Sequence, residues 1–264
     1  MGLRFDNQVV WITGGGTGMG REMALDFARR GADVAVTGRR AEKLAEVVAA
    51  IEAIGRKALA APGDVTDDAG MAQAVAQIVA RFGRLDVAVA NAGYGVVGTV
   101  AELTDEIWRR QFDINFFGAL NAARHALPEL RKTRGRLAFV GSVMSFLTLP
   151  KNGAYAASKF AIRAVSLTLS QELQGTGVTS TALYPGFVST EIVNVDNAGG
   201  FHEDFEDRRP KALLWAADHA ARVMVDAVAR RKREFVFTGH GKFGAFVGKH
   251  FPGLIDRVGP KLGQ

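Results

Sequence analysis

The chain contains no cysteine, which excludes a disulfide framework, a thiol nucleophile and a thiolate-bound metal. Its five histidines, His125, His202, His219, His240 and His250, are scattered without ligand spacing, so no metal site is expected. Proline is scarce, 7 residues against 31 glycines, and the composition is not that of a low-complexity chain. No apolar run reaches the ~18 residues of a membrane-spanning helix, and the opening residues MGLRFDNQ lack the apolar stretch of a secretion signal. Asp6 stands where a myristoylation signal needs serine or threonine. These absences predict a soluble, cytoplasmic protein.

What is present fits one large α/β domain: 264 residues, 48% of them hydrophobic. The net charge of +6 is unevenly spread. Residues 230–264 hold eight Lys and Arg against two acids, which accounts for the whole excess. A basic patch can meet nucleic acid or an anionic membrane. No aromatic stacking platform accompanies this one, so no nucleic acid partner is expected.

Short β-branched runs alternate with helical patterns. Gln8–Ile12 reads as a buried strand, and Thr13-Gly14-Gly15-Gly16-Thr17-Gly18-Met19-Gly20 follows at once. An amphipathic helix over 21–30 comes next. Strand, glycine loop and helix together form the context of a dinucleotide site: glycines let the backbone approach a pyrophosphate at a helix N-terminus. The second strand, Asp33–Thr37, runs into Gly38-Arg39-Arg40. A ribose 2'-hydroxyl would ask for a carboxylate there. Two arginines suit a 2'-phosphate instead, so NADP(H) is the expected cofactor, with Arg39 the main contact, Arg40 the second, and NAD(H) the alternative.

Further strands are read at a run closing with Gly63-Asp64-Val65-Thr66, at 85–90, 136–140, 177–184 and 234–238. Helices are read at 41–54, 68–82 and 104–126, the last bending near Asn115. Strand-then-helix alternation predicts a parallel sheet with right-handed crossovers and its site at the carboxyl ends of the strands. On the helix after the fifth strand, Tyr155 and Lys159 lie one turn apart on one face. A phenol with a pKa of about 10 is a weak acid or base at neutral pH, and a nearby ammonium lowers that value. Ser142, thirteen residues ahead of Tyr155, could bond the same substrate oxygen.

The glycine loop, Asn91-Ala92-Gly93, Asp113-Ile114-Asn115, Ser142, Tyr155-x-x-x-Lys159 and Pro185-Gly186 together resemble the short-chain dehydrogenase/reductase family, over residues 6–238. Ala90 departs from the family's usual Asn-Asn-Ala-Gly. The resemblance implies an α/β single-domain Rossmann fold with a doubly wound seven-stranded parallel sheet and helices on both faces. It implies a catalytic set of Asn115, Ser142, Tyr155 and Lys159. Tyr155 would exchange the proton, Ser142 hold the oxygen and Lys159 bind the nicotinamide ribose, while Asn115 supports a proton relay. Cofactor contacts carried over are Gly14, Gly16, Thr17, Gly18, Met19, Gly20, Asp64, Val65, Asn91, Ala92 and Gly93. Tyr155, Lys159, Pro185, Gly186, Val188 and Thr190 join them at the nicotinamide end. The implied reaction is hydride transfer between nicotinamide and a secondary alcohol or ketone. The competing reading is a non-catalytic NADPH-binding sensor or scaffold.

Residues 190–213 are expected to form a substrate lid hinged at Gly199-Gly200. Phe146, Leu147, Leu149, Phe187, Val193, Phe201 and Phe205 are the expected pocket lining, which suggests an apolar substrate. Residues 239–264 read as a basic extension of two short amphipathic helices broken at Pro252-Gly253. The extension is expected to pack on its own or a partner subunit, with peripheral membrane contact as the alternative. The resemblance implies a homodimer or homotetramer formed through the helices at 104–126 and 155–174.

Overall fold

The structure, a computed structural model, describes residues 3–262 apart from Glu203, Glu206 and Arg208. Those three lid positions, the tail end Gly263-Gln264 and the Lys261 side chain lie outside the described residues, as do Met1 and Gly2. In chain order the elements are β1 (Val9–Thr13), α1 (Gly18–Arg29), β2 (Asp33–Thr37), α2 (Ala41–Ala53), β3 (Ala58–Ala60), α3 (Asp68–Phe82) and β4 (Val87–Ala90). There follow α4 (Asp105–Phe112), α5 (Gly118–Thr133), β5 (Arg136–Val140), α6 (Gly153–Glu172), β6 (Thr179–Tyr184), α7 (Ala217–Ala229), β7 (Glu234–Val236), α8 (Gly239–His250) and α9 (Pro252–Leu262).

The strands form one parallel sheet in the order β3-β2-β1-β4-β5-β6-β7. Each strand residue faces the layer opposite to its neighbour's. Val10, Ile12, Val34 and Val36 face Met23, Phe27, Leu44, Val47, Met224 and Val225 on one side. Val9, Trp11, Ala35 and Ala88 face Met71, Ile78, Ala122, Leu130 and Ile162 on the other. Both faces are covered, so the strands read as continuous apolar runs. Chain order reverses between β1 and β4, and this switch point fixes where a ligand cleft opens.

Two expectations need correction. The third strand ends at Ala60, and Gly63–Thr66 form the loop beyond it. Pro62 has no N–H to donate, although Ala61 and Gly63 still donate to Val36 and Gly38 at 2.9 and 3.0 Å. The long helix is two, α4 and α5, joined by a π turn at Asp113–Phe117, and α5 runs past residue 126 to Thr133. Its Gly118 N–H donates to the Asp113 carbonyl, five residues back. A side chain at 118 would run into Val65, so the turn packs directly on the loop after β3. The tail forms two short helices parted at Phe251-Pro252, as expected, and Pro252 is the first residue of α9, where its fixed φ suits helix initiation.

Candidate active site

At the switch point the loop Gly14–Thr17 leads into α1. Gly14 and Gly18 have φ of 63° and 54°, a region L side chains avoid. A Cβ at Gly20 would strike the Gly14 carbonyl and the Asn91 amide. The first turn of α1 has no side-chain cap and no acid, so its N–H groups face the cleft without an internal acceptor. A pyrophosphate fits this cradle. Asn91 fastens it: its side chain donates to the Thr13 and Gly14 carbonyls at 2.9 and 3.1 Å. The single departure at Ala90 leaves these bonds in place.

The cleft, about 240 Å³, continues along Arg39, Arg40, Asp64, Val65, Asn91, Ala92, Gly93 and Thr190. Asp64 is tied locally, accepting from the Thr66 N–H and hydroxyl at 2.9 and 2.8 Å. Arg39 is exposed, with no ion pair among the described residues. Arg40 donates to Thr17 at 3.2 Å, pairs with Glu191 of the lid at 3.1 Å and lies over the Phe201 ring. Asp33 sits at the far end of β2, held by Arg56 at 2.7 Å. Lys43 lines the same cleft and was not singled out by sequence. Its signal was available as the third cation of Arg39-Arg40-Ala41-Glu42-Lys43.

The four residues of the expected catalytic set come from three elements. Asn115 sits in the π turn, where its amide donates to the Tyr94 carbonyl at 2.9 Å and to Ser158 at 3.1 Å. Its oxygen accepts the Tyr94 N–H at 2.9 Å. Gln111, one turn earlier, grips the same loop through Tyr94 and Val96, both at 2.9 Å, and was missed by sequence. Together they press the 93–96 loop against α6. A Cβ at Gly95 would touch the Tyr155 ring at 3.2 Å, and one at Gly93 would lie 3.5 Å from the Lys159 ammonium. Tyr94 also lines the cleft, and its buried hydroxyl has no hydrogen-bond partner among the described residues.

Lys159 is buried and donates to the Val140 carbonyl at 2.9 Å. Burial brings its pKa down to about 8. Its ammonium lies 5.7 Å from the centre of the Tyr155 ring. Burial pushes the Tyr155 phenol up, while the Ser142 hydroxyl and the charge of Arg209 pull it back. The Lys159 ammonium is held by the end of β5, and Arg209, not singled out by sequence, adds a positive charge near the phenol. Ser142 caps the short 3-10 turn at Val143–Ser145, and the Ser145 hydroxyl donates to the Lys159 carbonyl at 2.9 Å, locking the turn to α6.

The Pro185–Thr190 turn closes the site. The Pro185 carbonyl accepts from Val143 at 2.9 Å, the Val188 carbonyl accepts from Arg209 at 3.0 Å, and Thr190 packs by Gly18. The segment expected to form the lid holds a small hairpin, Val195 bridging Phe201, pinned to the 93–98 loop by Asn197, which bonds both polar groups of the Val97 backbone. Gly199-Gly200 is its tip, tied to Asp196. Of the expected lining, Phe201 faces the cleft. Phe146 does not belong to it: it is core, edge-on to Tyr184 and packed on Ala245 of α8. Phe187 stacks on His240 of the same helix. The extension packs against both of these phenylalanines.

The short chain dehydrogenase family model matches residues 8–199. An uncharacterised NAD-dependent oxidoreductase of Mycobacterium tuberculosis is 37% identical over 201 residues, 70% of this chain and 73% of that protein. A hydroxynaphthalene reductase of Aspergillus fumigatus is 35% identical, covering 72% of this chain and 70% of its own. The solved short chain dehydrogenase of Burkholderia cenocepacia, in complex with NADP, superposes with a TM-score of 0.79 at 30% identity, covering 90% of this chain and 99% of that one. The chain belongs to the short-chain dehydrogenase/reductase family and is an oxidoreductase of that class, acting on CH–OH groups with a nicotinamide dinucleotide.

Proposed function

We propose that the protein transfers hydride between NADP(H) and an apolar secondary alcohol or ketone, with Tyr155 as the acid/base. The convergence of Ser142, Tyr155 and Lys159 beside the glycine-bedded cleft carries this reading. The nicotinamide supplies or accepts the hydride. Gly14, Gly16, Thr17, Gly18, Met19 and Gly20 would hold the pyrophosphate, Asp64 and Val65 the adenine, and the Pro185–Thr190 turn the carboxamide. Asn91, Ala92 and Gly93 would line the middle of the cofactor. Ser142 orients the substrate oxygen, Tyr155 gives it a proton in reduction, and Lys159 holds ribose hydroxyls and its own positive charge beneath them. Asn115 holds the loop that presses Gly95 on the Tyr155 ring, lies in a π turn of the kind frequent at functional sites, and would support the proton path.

Preference for NADP(H) over NAD(H) is supported by Arg39, Arg40 and Lys43 around one end of the cleft, and by Asp33 being bound elsewhere. An apolar substrate is supported by Phe201, Val195 and Ile192 on the lid. A homodimer or homotetramer is supported by the exposed Phe117 and Phe160 on the α5 and α6 side. Residues 1–238 act as the catalytic domain and 239–264 as an extension folded onto it. The test pairs fluorescence titration of NADPH and NADH with a panel of aromatic, steroid-like and lipid-like ketones. Turnover with NADPH supports the reading. Tight binding without turnover on any carbonyl supports a sensor or scaffold instead.

A further inference from the structure

The tail helices turn their most apolar side chains outward. In α8, Phe243 and Phe246 are 70% and 55% exposed. The opposite side of that helix is spent on the protein: Gly241, Ala245 and Val247 are buried, and Gly244 and Gly248 sit against Val143, Phe146 and Leu147. Phe251, Leu254 and Val258 continue the exposed apolar surface into α9. Fixed as it is by its glycine face, α8 cannot roll its phenylalanines inward. The charge of the same segment is one-sided. Between 239 and 264 the acids number one, Asp256, against Lys242, Lys249, Arg257 and Lys261.

We propose that α8 and α9 form a docking face for an anionic lipid surface. Phe243 and Phe246 stand at the centre of the outer face at helical spacing, with the exposed Lys242 at its edge, while the Lys249 ammonium lies over the Phe146 ring. Apolar side chains entering the headgroup boundary while flanking lysines meet anionic lipids is the chemistry of an interfacial helix. No helix among the described residues is long and apolar enough to cross a membrane, so the helices lie on the surface. A second copy of this chain fits the face less well. A two-fold contact sets each patch against its own copy, and here that brings lysines and arginine against like charges. The inner side of α8 walls the Ser142–Leu147 loop, and its first turn bonds the Phe187 backbone. Docking therefore brings the catalytic cleft to a lipid surface. This inference rests on the tail and stands independently of cofactor choice or substrate.

The test is co-sedimentation of the full-length protein with phosphatidylserine/phosphatidylcholine vesicles and with phosphatidylcholine alone, at low and high salt. The expected result is binding to the anionic vesicles, weakened by salt, with at least a fivefold fall in the bound fraction for Phe243→Ser/Phe246→Ser and for Lys242→Glu/Arg257→Glu. All four positions are exposed, and unchanged NADPH titration and circular dichroism confirm folding. The proposal is overturned if wild type stays in the supernatant, or if both variants pellet as wild type does. It is equally overturned if light scattering shows that the phenylalanine variant loses a subunit while wild type ignores vesicles, which assigns the face to a second copy.

Discussion

The imidazole of His240 accepts the backbone N–H of Phe187 at 2.9 Å, so the C-terminal extension holds the turn that carries Val188. The rings of the two residues also stack, 5.1 Å apart at 24°. A hydrogen bond of this kind needs a neutral ring nitrogen, and burial lowers the His240 pKa from 6.5.

The sign of the resulting pH dependence follows. Above about pH 6.5 the imidazole is neutral whether the chain is folded or not. Below it the unfolded chain binds the proton first, so stability falls with pH until the folded imidazole titrates as well. Thermal melts of wild type should show this limb, and His240→Gln, which keeps an acceptor but cannot titrate, should flatten it. Superimposable profiles would show that His240 does not hold the turn.

Gly186 has no room for a side chain, because a Cβ there would meet the His240 ring and the Thr238 hydroxyl. Gly186→Ala should lower stability by about 1–3 kcal/mol, the usual cost of overpacking. Urea denaturation reads it. The tail should lift from the turn, and proteolysis after Thr238 should quicken.

Lys159 gives a limb at the opposite end of the pH scale. Its folded pKa of about 8 lies below the ordinary 10.5. Between those values the unfolded lysine holds a proton that the folded one has lost, so stability rises with pH across that window. The rise is on the order of 3 kcal/mol at most, since each unit is worth about 1.4 kcal/mol. Lys159→Met should abolish it in urea midpoints measured from about pH 7.5 to 10.

Arg39→Ala and Arg40→Ala should each raise the KM for NADPH by about 10- to 100-fold, the value of one charge-assisted contact of about 1.5–3 kcal/mol. The KM for NADH should change little. Arg40 also pairs with Glu191. Glu191→Gln should therefore tighten NADPH slightly, because an exposed ion pair that competes is worth only about 0–1 kcal/mol. A KM ratio favouring NADH in wild type would refute the preference.

The sheet was legible because both its faces are covered, so each strand stands out as a short apolar run, and the turn chemistry between runs is strong. Local signals also carried the glycine loop and the Tyr155-Lys159 helix, and the family resemblance carried Asn91. What escaped the sequence depends on long-range packing. Phe146 is as apolar as any substrate contact, and only the docking of Ala245 makes it core. Nothing local says that the Lys159 ammonium turns to the Val140 carbonyl, or that Arg209, fifty-four residues after Tyr155, lies close enough to act on the phenol. Pro62 could have shortened the third strand on sequence alone. The role of Gln111 shows only once the π turn sets it one turn from Asn115 over the same loop.

Whether this site moves hydride under the control of Tyr155 is tested most directly by single-turnover reaction with C4-deuterated NADPH and an aromatic ketone. Deuterium should appear on the carbinol carbon with wild type. Tyr155→Phe should bind the cofactor with unchanged affinity and react at least about 100-fold more slowly. Equal rates for the two proteins, or cofactor bound firmly with no deuterium transferred to any ketone, would contradict the account.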